Sequence, residues 1–167
     1  MSEINFLENA LNSPNVKAFL HTIRCCEGTS GPEGYNFIFG STDTNHLRNP
    51  DLSRHPGTKY AKHYQDNAGH NIVTTAAGAY QFIESTWNAL KIKLSLPDFS
   101  PHSQDIGALE LLSEKNCLQR LINGDLQYAL QQAATIWASM PGADDNQPTK
   151  TLAQATTFYK EFGGNII

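Results

Sequence analysis

The stretch from Gly28 to about Thr75 constrains this chain more than any other. It is bounded on both sides by helical patterns. Within it the 3.6-residue periodicity disappears, Gly and Pro accumulate, and only short β-favouring pieces remain, at Tyr35-Asn36-Phe37-Ile38-Phe39 and Ile72-Val73-Thr74-Thr75. A structureless connection of that length inside a compact domain is unusual, so the segment is expected to carry local order and a function.

The flanks read as helices. Ser13-Pro14 supplies an N-cap followed by proline at the first helical position, and Val16, Leu20, Ile23 and Glu27 then recur at steps of four, three and four. Phe19 and Cys26 widen that stripe, and Gly28 stops it in the left-handed conformation glycine tolerates. Helical spacing returns at Tyr80, Ile83, Trp87, Leu90 and Leu94, ending near Leu96-Pro97. A second capped start at Ser100-Pro101 leads to Ile106, Leu109 and Leu112. Leu118, Leu121 and Ile122 predict a short helix closed by Gly124. Asp125 caps a further one, predicted to run through Leu126, Leu130, Ala133, Trp137 and Met140 until Pro141-Gly142. Leu152, Ala155, Tyr159 and Phe162 form a terminal amphipathic pattern stopped by Gly163-Gly164. The expected architecture is α+β but predominantly α: a helical body with a small β/loop lobe over about 28–75, and a substrate cleft between the two.

At 167 residues the chain is expected to form one domain over 1–167, as a monomer. Hydrophobic residues make up 40% and charged residues 17%, a globular composition. The net charge is −4 with no Lys/Arg run, which argues against nucleic acid as a partner. It also leaves attraction to an anionic polymer to local contacts. Cys25, Cys26 and Cys117 cannot all pair within one chain, and the vicinal two could bridge each other only in strained geometry, so reduced thiols are expected. The first thirteen residues hold Glu3 and Glu8 and no apolar run of signal-peptide or membrane length, so no stable membrane association is expected.

Glu27 is the leading candidate for chemistry. It lies in the last turn of its helix, where carbonyls create negative potential, and on the stripe that buries Val16, Leu20 and Ile23. Both features favour the protonated carboxyl, the form that can give a proton to a poor leaving group such as a glycosidic oxygen. The competing reading is a glutamate turned out to water. Cys25 or Cys26 with one of six histidines would suggest a cysteine peptidase, but no local signature places an orienting residue. His46, His55, His63 and His70, with Asp43, Asp51 and Asp66, lack the spacing of a zinc site, and no metal or other cofactor is expected. Trp87 and Trp137 read as core. Tyr35 and Tyr80, at the lobe edges, read as sugar contacts.

Six motifs occur in an order that resembles the bacteriophage lambda endolysin family: Cys26-Glu27-Gly28-Thr29, Gly34-Tyr35-Asn36, His55-Pro56, Ala77-Gly78-Ala79-Tyr80-Gln81, a stretch from Asp98 to Asp105, and Ile136-Trp137-Ala138-Ser139-Met140-Pro141-Gly142. The resemblance runs from about residue 16 to 164. It implies a lysozyme-like fold and a lytic transglycosylase acting on the β-1,4 bond between N-acetylmuramic acid and N-acetylglucosamine in peptidoglycan glycan strands. It places the family's single catalytic glutamate on Glu27, and glycan contacts on Tyr35, Asn36, Tyr80, Gln81, Ser139 and Gln147. It also implies synthesis in a host cytoplasm and release to the periplasmic wall through a membrane lesion made by another protein.

The sequence departs from the family in two places. Asp144-Asp145-Asn146-Gln147 stands where relatives carry Gly-Tyr-Gly-Gln, and the segment from Gly40 to Ile72 is longer and poorly matched. The alternatives are a muramidase using Asp43, Asp51 or Asp66 as a second carboxylate, and an inactive glycan-binding module on the same fold.

Overall fold

A computed structural model describes residues 2–66, 68–143 and 149–167. The helix predicted to end at Glu27 spans Pro14–Glu27, here α2, and Gly28 closes it at φ +74°. It is preceded by α1 (Glu3–Ala10), which buries only Leu7 and Ala10 and so left little periodic signal. α2 buries Val16, Phe19, Leu20 and Ile23, packing chiefly on α7 (Leu152–Glu161) and on the short α5 (Leu118–Ile122). Asn15 holds both ends of the chain's helical part together, donating to the Ile122 carbonyl at 3.0 Å and accepting from the Asn165 amide at 2.8 Å.

The remaining helices are α3 (Glu84–Leu94), α4 (Pro101–Glu114) and α6 (Leu126–Ala133). α4 starts where Ser100 accepts from the Ser103 amide, and α6 where Asp125 accepts from the Tyr128 amide, as their capping residues predict. One hydrophobic core joins Phe19 and Ile23 of α2 with Trp87, Phe99, Leu109, Leu118 and Tyr159.

The small lobe holds one antiparallel pair, β1 (Lys62–Gln65) and β2 (Asn71–Thr74), with Lys62 opposite Thr74 and Tyr64 opposite Ile72. β2 lies where β-favouring residues predict it. The expected strand at 35–39 is instead a 3-10 turn over Gly34–Asn36, followed by isolated bridges from Phe37 to Arg48 and from Ile38 to Ala77. The reason is steric. A Cβ on Gly34 would stand 1.7 Å from the Thr29 carbonyl oxygen, so the chain doubles back against the end of α2 where an extended strand could not.

A second departure shapes the cleft. The helix predicted to continue through Trp137 and Met140 ends at Ala133, and i to i+3 bonds such as Ile136 to Ala133 and Met140 to Trp137 replace the helical ladder. Adjacent β-branched Thr135 and Ile136 disfavour the helix, and the Thr135 hydroxyl donates to the Gln132 carbonyl at 2.7 Å. Apolar residues at helical spacing thus fall on a turn.

The loop Ala77–Phe82 closes through reciprocal backbone bonds between its ends and is pinned from α4 by Gln104, which is fully buried. Gln104 accepts from the Ala79 amide at 2.8 Å and donates to the carbonyls of Phe99 at 2.8 Å and Tyr35 at 3.1 Å. Gly78 (φ +81°) passes so close that a Cβ would meet the Gln104 side chain at 2.3 Å. Gln104→Ala would strand three buried backbone groups, each costing about 1–3 kcal/mol. We expect a Tm lower by roughly 10 °C in a calorimetric scan, at 2–4 °C per kcal/mol for a chain of this size.

Candidate active site

The last turn of α2 presents Glu27 into a cavity of about 270 Å³, where it meets Phe39, Tyr64, Gln81, Trp137 and Ser139. The Ser139 hydroxyl donates to Glu27 Oε1 at 2.5 Å, a contact possible only because the chain has left α6 by that point. Burial pushes the Glu27 carboxyl above its ordinary value, while the Ser139 hydrogen bond favours the charged form and opposes the rise. Among the described residues lining the cavity, Glu27 is the only carboxylate.

Thr29 ties this turn to the loop opposite, its hydroxyl donating to the Ala79 carbonyl at 2.5 Å. That loop carries Gln81, which lines the cavity at φ +48°, a backbone conformation uncommon outside glycine. The Gln81 amide donates to the Gly78 carbonyl at 2.9 Å, which leaves its carbonyl oxygen and second N–H for a ligand.

The predicted contacts divide into two groups. Glu27, Gln81 and Ser139 are brought together in one cavity. Tyr35 and Tyr80, expected in the glycan cleft, are not among its lining: both hydroxyls donate to Asp105 Oδ1, at 2.8 and 2.6 Å, and Tyr80 is only 1% exposed. They lock the 3-10 turn and the 77–82 loop onto α4, beside Arg24, whose guanidinium lies 4.5 Å from the Tyr35 ring centre and donates to the carbonyls of Thr29, Ser30 and Gly31. Asn36 also works within the fold, donating to the Asn49 carbonyl at 2.9 Å. Gln147 and Asp145 lie outside the described residues.

Sequence reasoning missed Phe39 and Tyr64, whose rings stack at 5.1 Å and 24° on the lobe side of the cavity. Tyr64 sits in a strand whose Lys62-His63-Tyr64-Gln65 has no apolar alternation, so nothing in the sequence marks it. Trp137 was read as core. It is 5% exposed and donates to the Tyr80 carbonyl at 3.0 Å, yet its remaining edge lines the cavity.

The competing chemistries place differently. Cys25 Sγ does stand 3.4 Å from His21 Nε2, but His21 is stacked on Phe162 at 3.7 Å, and burial followed by Arg24 lowers its pKa, disfavouring the imidazolium a thiolate partner needs. Neither residue lines the Glu27 cavity. His55 is buried and structural: Nδ1 accepts from the Gly57 amide at 3.0 Å, which leaves Nε2–H to donate to the Phe82 carbonyl at 2.8 Å. His70 pairs with Asp66 at 2.9 Å. No group of three His, Cys, Asp or Glu side chains among the described residues is arranged to hold a metal.

A carboxylate at the buried end of a helix, facing a two-stranded lobe across a cleft, defines a lysozyme-like protein. A solved structure of bacteriophage lambda lysozyme complexed with a chitohexasaccharide superposes with a TM-score of 0.76 at 33% identity, covering 92% of this chain and 97% of the other. A second lambda lysozyme structure gives 0.69 at 31% identity over the same shares. The Endolysin family model matches residues 17–166, and the endolysins of Escherichia phages lambda and P2 are each 32% identical over 90% of this chain and 92% and 93% of their own lengths. The chain belongs to the endolysin family.

Because burial raises the folded pKa of Glu27, protonation of this carboxyl contributes stability that is fully present below its unfolded value and is lost as pH rises through the folded one. Glu27→Gln, which keeps the shape and removes the charge, should therefore melt above wild type at neutral pH, with the gap closing on acidification. Parallel thermal scans check this, and a variant less stable at neutral pH would contradict the assignment.

Proposed function

We propose that this lysozyme-like endolysin degrades peptidoglycan as a lytic transglycosylase, cleaving the β-1,4 bond between N-acetylmuramic acid and N-acetylglucosamine with Glu27 as its one acid and base. The observation that carries this reading is Glu27 itself: a carboxyl biased toward its protonated form, lining the cavity with no second carboxylate among the described residues. The chitohexasaccharide bound by the lambda lysozyme supports a glycan strand as the occupant.

In this mechanism Glu27 protonates the glycosidic oxygen as the bond breaks through an oxocarbenium-like state. The carboxylate left behind then takes the proton from the muramic acid C6 hydroxyl, whose oxygen attacks C1 and closes a 1,6-anhydro ring. Glu27 ends as it began, protonated. Ser139 fixes the carboxyl's rotamer and stabilises its charged interval, and Gln81 offers an amide suited to hydroxyl or N-acetyl groups. Phe39 and Tyr64 offer an apolar face for a sugar ring.

The placement of Asp43, Asp51 and Asp66 disfavours the muramidase alternative. None of the three lines the cavity that holds Glu27. The whole chain acts as a single catalytic domain in this reading, which the one continuous core supports, and it is proposed to act as a monomer. No helix among the described residues is long and apolar enough to cross a membrane. As in a phage lysis programme, the protein would be made in the host cytoplasm and reach the periplasmic wall through a membrane lesion made by another protein.

Mass spectrometry of unreduced digests should find 1,6-anhydromuramic ends; reducing muramic ends from pure enzyme would establish hydrolysis instead. Glu27→Gln should lower turnover roughly a hundredfold to ten-thousandfold, the range of general acid–base catalysis. Turnover needs protonated Glu27 at the start, so kcat/KM should fall as pH rises through its pKa. Ser139→Ala removes a hydrogen bond to the charged form, which should move that fall to higher pH and reduce kcat about tenfold. An unmoved profile would show that Ser139 does not tune the carboxyl.

A further inference from the structure

A second cavity of about 270 Å³ lies on the small lobe, lined by His46, Arg48, Lys59, Tyr60 and Lys62 together with Ile38 and Leu47. Among the described residues no acidic side chain lines it. Four of the chain's twelve Lys and Arg residues fall between positions 48 and 62, although the chain as a whole carries −4. The cavity belongs to the segment 40–72 that the family resemblance covers poorly.

Its cations differ in how they are used. Arg48 is fixed, paired to Glu33 at 2.9 Å and lying 4.3 Å from the Phe37 ring centre, so it forms a rigid wall. Lys59 rests 5.0 Å from the Tyr60 ring centre, with Asp51 near enough to feel its charge. Lys62 is exposed and makes no ion pair among the described residues. Lys59 and Lys62 therefore present ammonium groups that no carboxylate among the described residues bonds.

The strand register connects this cavity to the one that holds Glu27. Side chains two apart on a strand share a face, so Lys62 and Tyr64 of β1 stand on the same side of the ribbon, about 7 Å apart along it. Lys62 pairs directly with Thr74, which places their Cβ atoms about 5 Å apart, and both Thr74 and Tyr64 line the Glu27 cavity. Ile38 lines the cationic cavity and its neighbour Phe39 lines the other. The two cavities are thus adjoining parts of one ribbon face, the first neutral and aromatic around its acid, the second cationic.

A glycan strand occupying the first cavity would bring its substituents to the second. In peptidoglycan the lactyl group of muramic acid carries a short peptide with free carboxylates, whereas a bare N-acetylglucosamine polymer carries none. We propose that the cavity of Arg48, Lys59 and Lys62 is a subsite for a carboxylate of the stem peptide, through which this chain distinguishes peptide-bearing strands from unsubstituted glycan. The inference rests on the reading of the Glu27 cavity as the glycan site. It gives a net-negative protein a local means of holding an anionic polymer.

The test is a binding measurement that does not depend on cleavage. Glu27→Gln protein is titrated calorimetrically at low salt with glycan strands bearing their peptides and with the same strands stripped by an amidase. We expect about tenfold tighter binding of the peptide-bearing strands, the scale of two solvent-screened charge pairs. Adding Lys59→Gln and Lys62→Gln should reduce that ratio to near one, while Lys160→Gln, which changes the charge on α7, should preserve it. A preference that survives the double substitution, a loss of affinity equal for both strands, or no preference in the parent would each overturn the subsite. Cleavage by the wild-type protein, read separately, decides the glycosidic activity: a protein that prefers peptide-bearing strands yet releases no fragments would keep the subsite and refute the enzyme.

Discussion

The hydrogen bond from the Thr29 hydroxyl to the Ala79 carbonyl, 2.5 Å long and nearly sealed from solvent, is the junction on which the site depends. It joins the residue two beyond Glu27 to the loop that carries Gln81, so the position of the carboxyl and the position of its facing amide are set by one contact. Gly34 lies against the Thr29 carbonyl and brings Tyr35 within reach of Asp105. Gln104 then fixes Ala79 from below. Every partner in this junction is buried or half-buried, where an unmade bond costs far more than a made one gains. That asymmetry makes the arrangement specific: partial disassembly leaves orphaned carbonyls and amides, so the end of α2, the 3-10 turn and the 77–82 loop should move as one unit.

The junction also explains why Glu27 can be both buried and useful. A buried carboxyl usually neutralises and does little else. Here two opposed influences act on one group: desolvation raises its pKa, and the Ser139 hydroxyl holds it from rising further. In the proposed mechanism the acid must later serve as a base, which needs this compromise, since a group too reluctant to ionise would not release its proton and one too willing would not hold it.

Local signals were legible in the sequence and distant ones were not. Pro14 at the first helical position and Gly28 bracket α2, although Ser13 makes no side-chain capping bond, and Asp125 and Ser100 announce α6 and α4 because caps act within one turn. Glu27 stood out because its stripe and its helix end are both readable in fourteen residues. The contacts of Tyr35 and Tyr80 were not legible, because their hydroxyls bond Asp105, seventy and twenty-five positions away. Aromatic residues at a lobe edge look like sugar platforms until a buried carboxylate claims their hydroxyls. The end of α6 was hidden by Trp137 and Met140, whose apolar side chains face the core from a turn as they would from a helix.

That hidden turn is what converts a helical body into a site. Had α6 continued, its regular spiral would have separated Ile136, Trp137 and Ser139 around the helix axis, and no more than part of the set could have faced Glu27. Unwinding at Thr135 lets consecutive residues from Ile136 to Ser139 line one wall, while Met140 remains fully buried as the anchor. The opposite wall is made by the other irregular region, where Phe39 and Tyr64 come together from a turn and a short strand. The helices thus supply rigidity and the buried carboxyl. The two places where regular structure fails supply the surface that a glycan would touch.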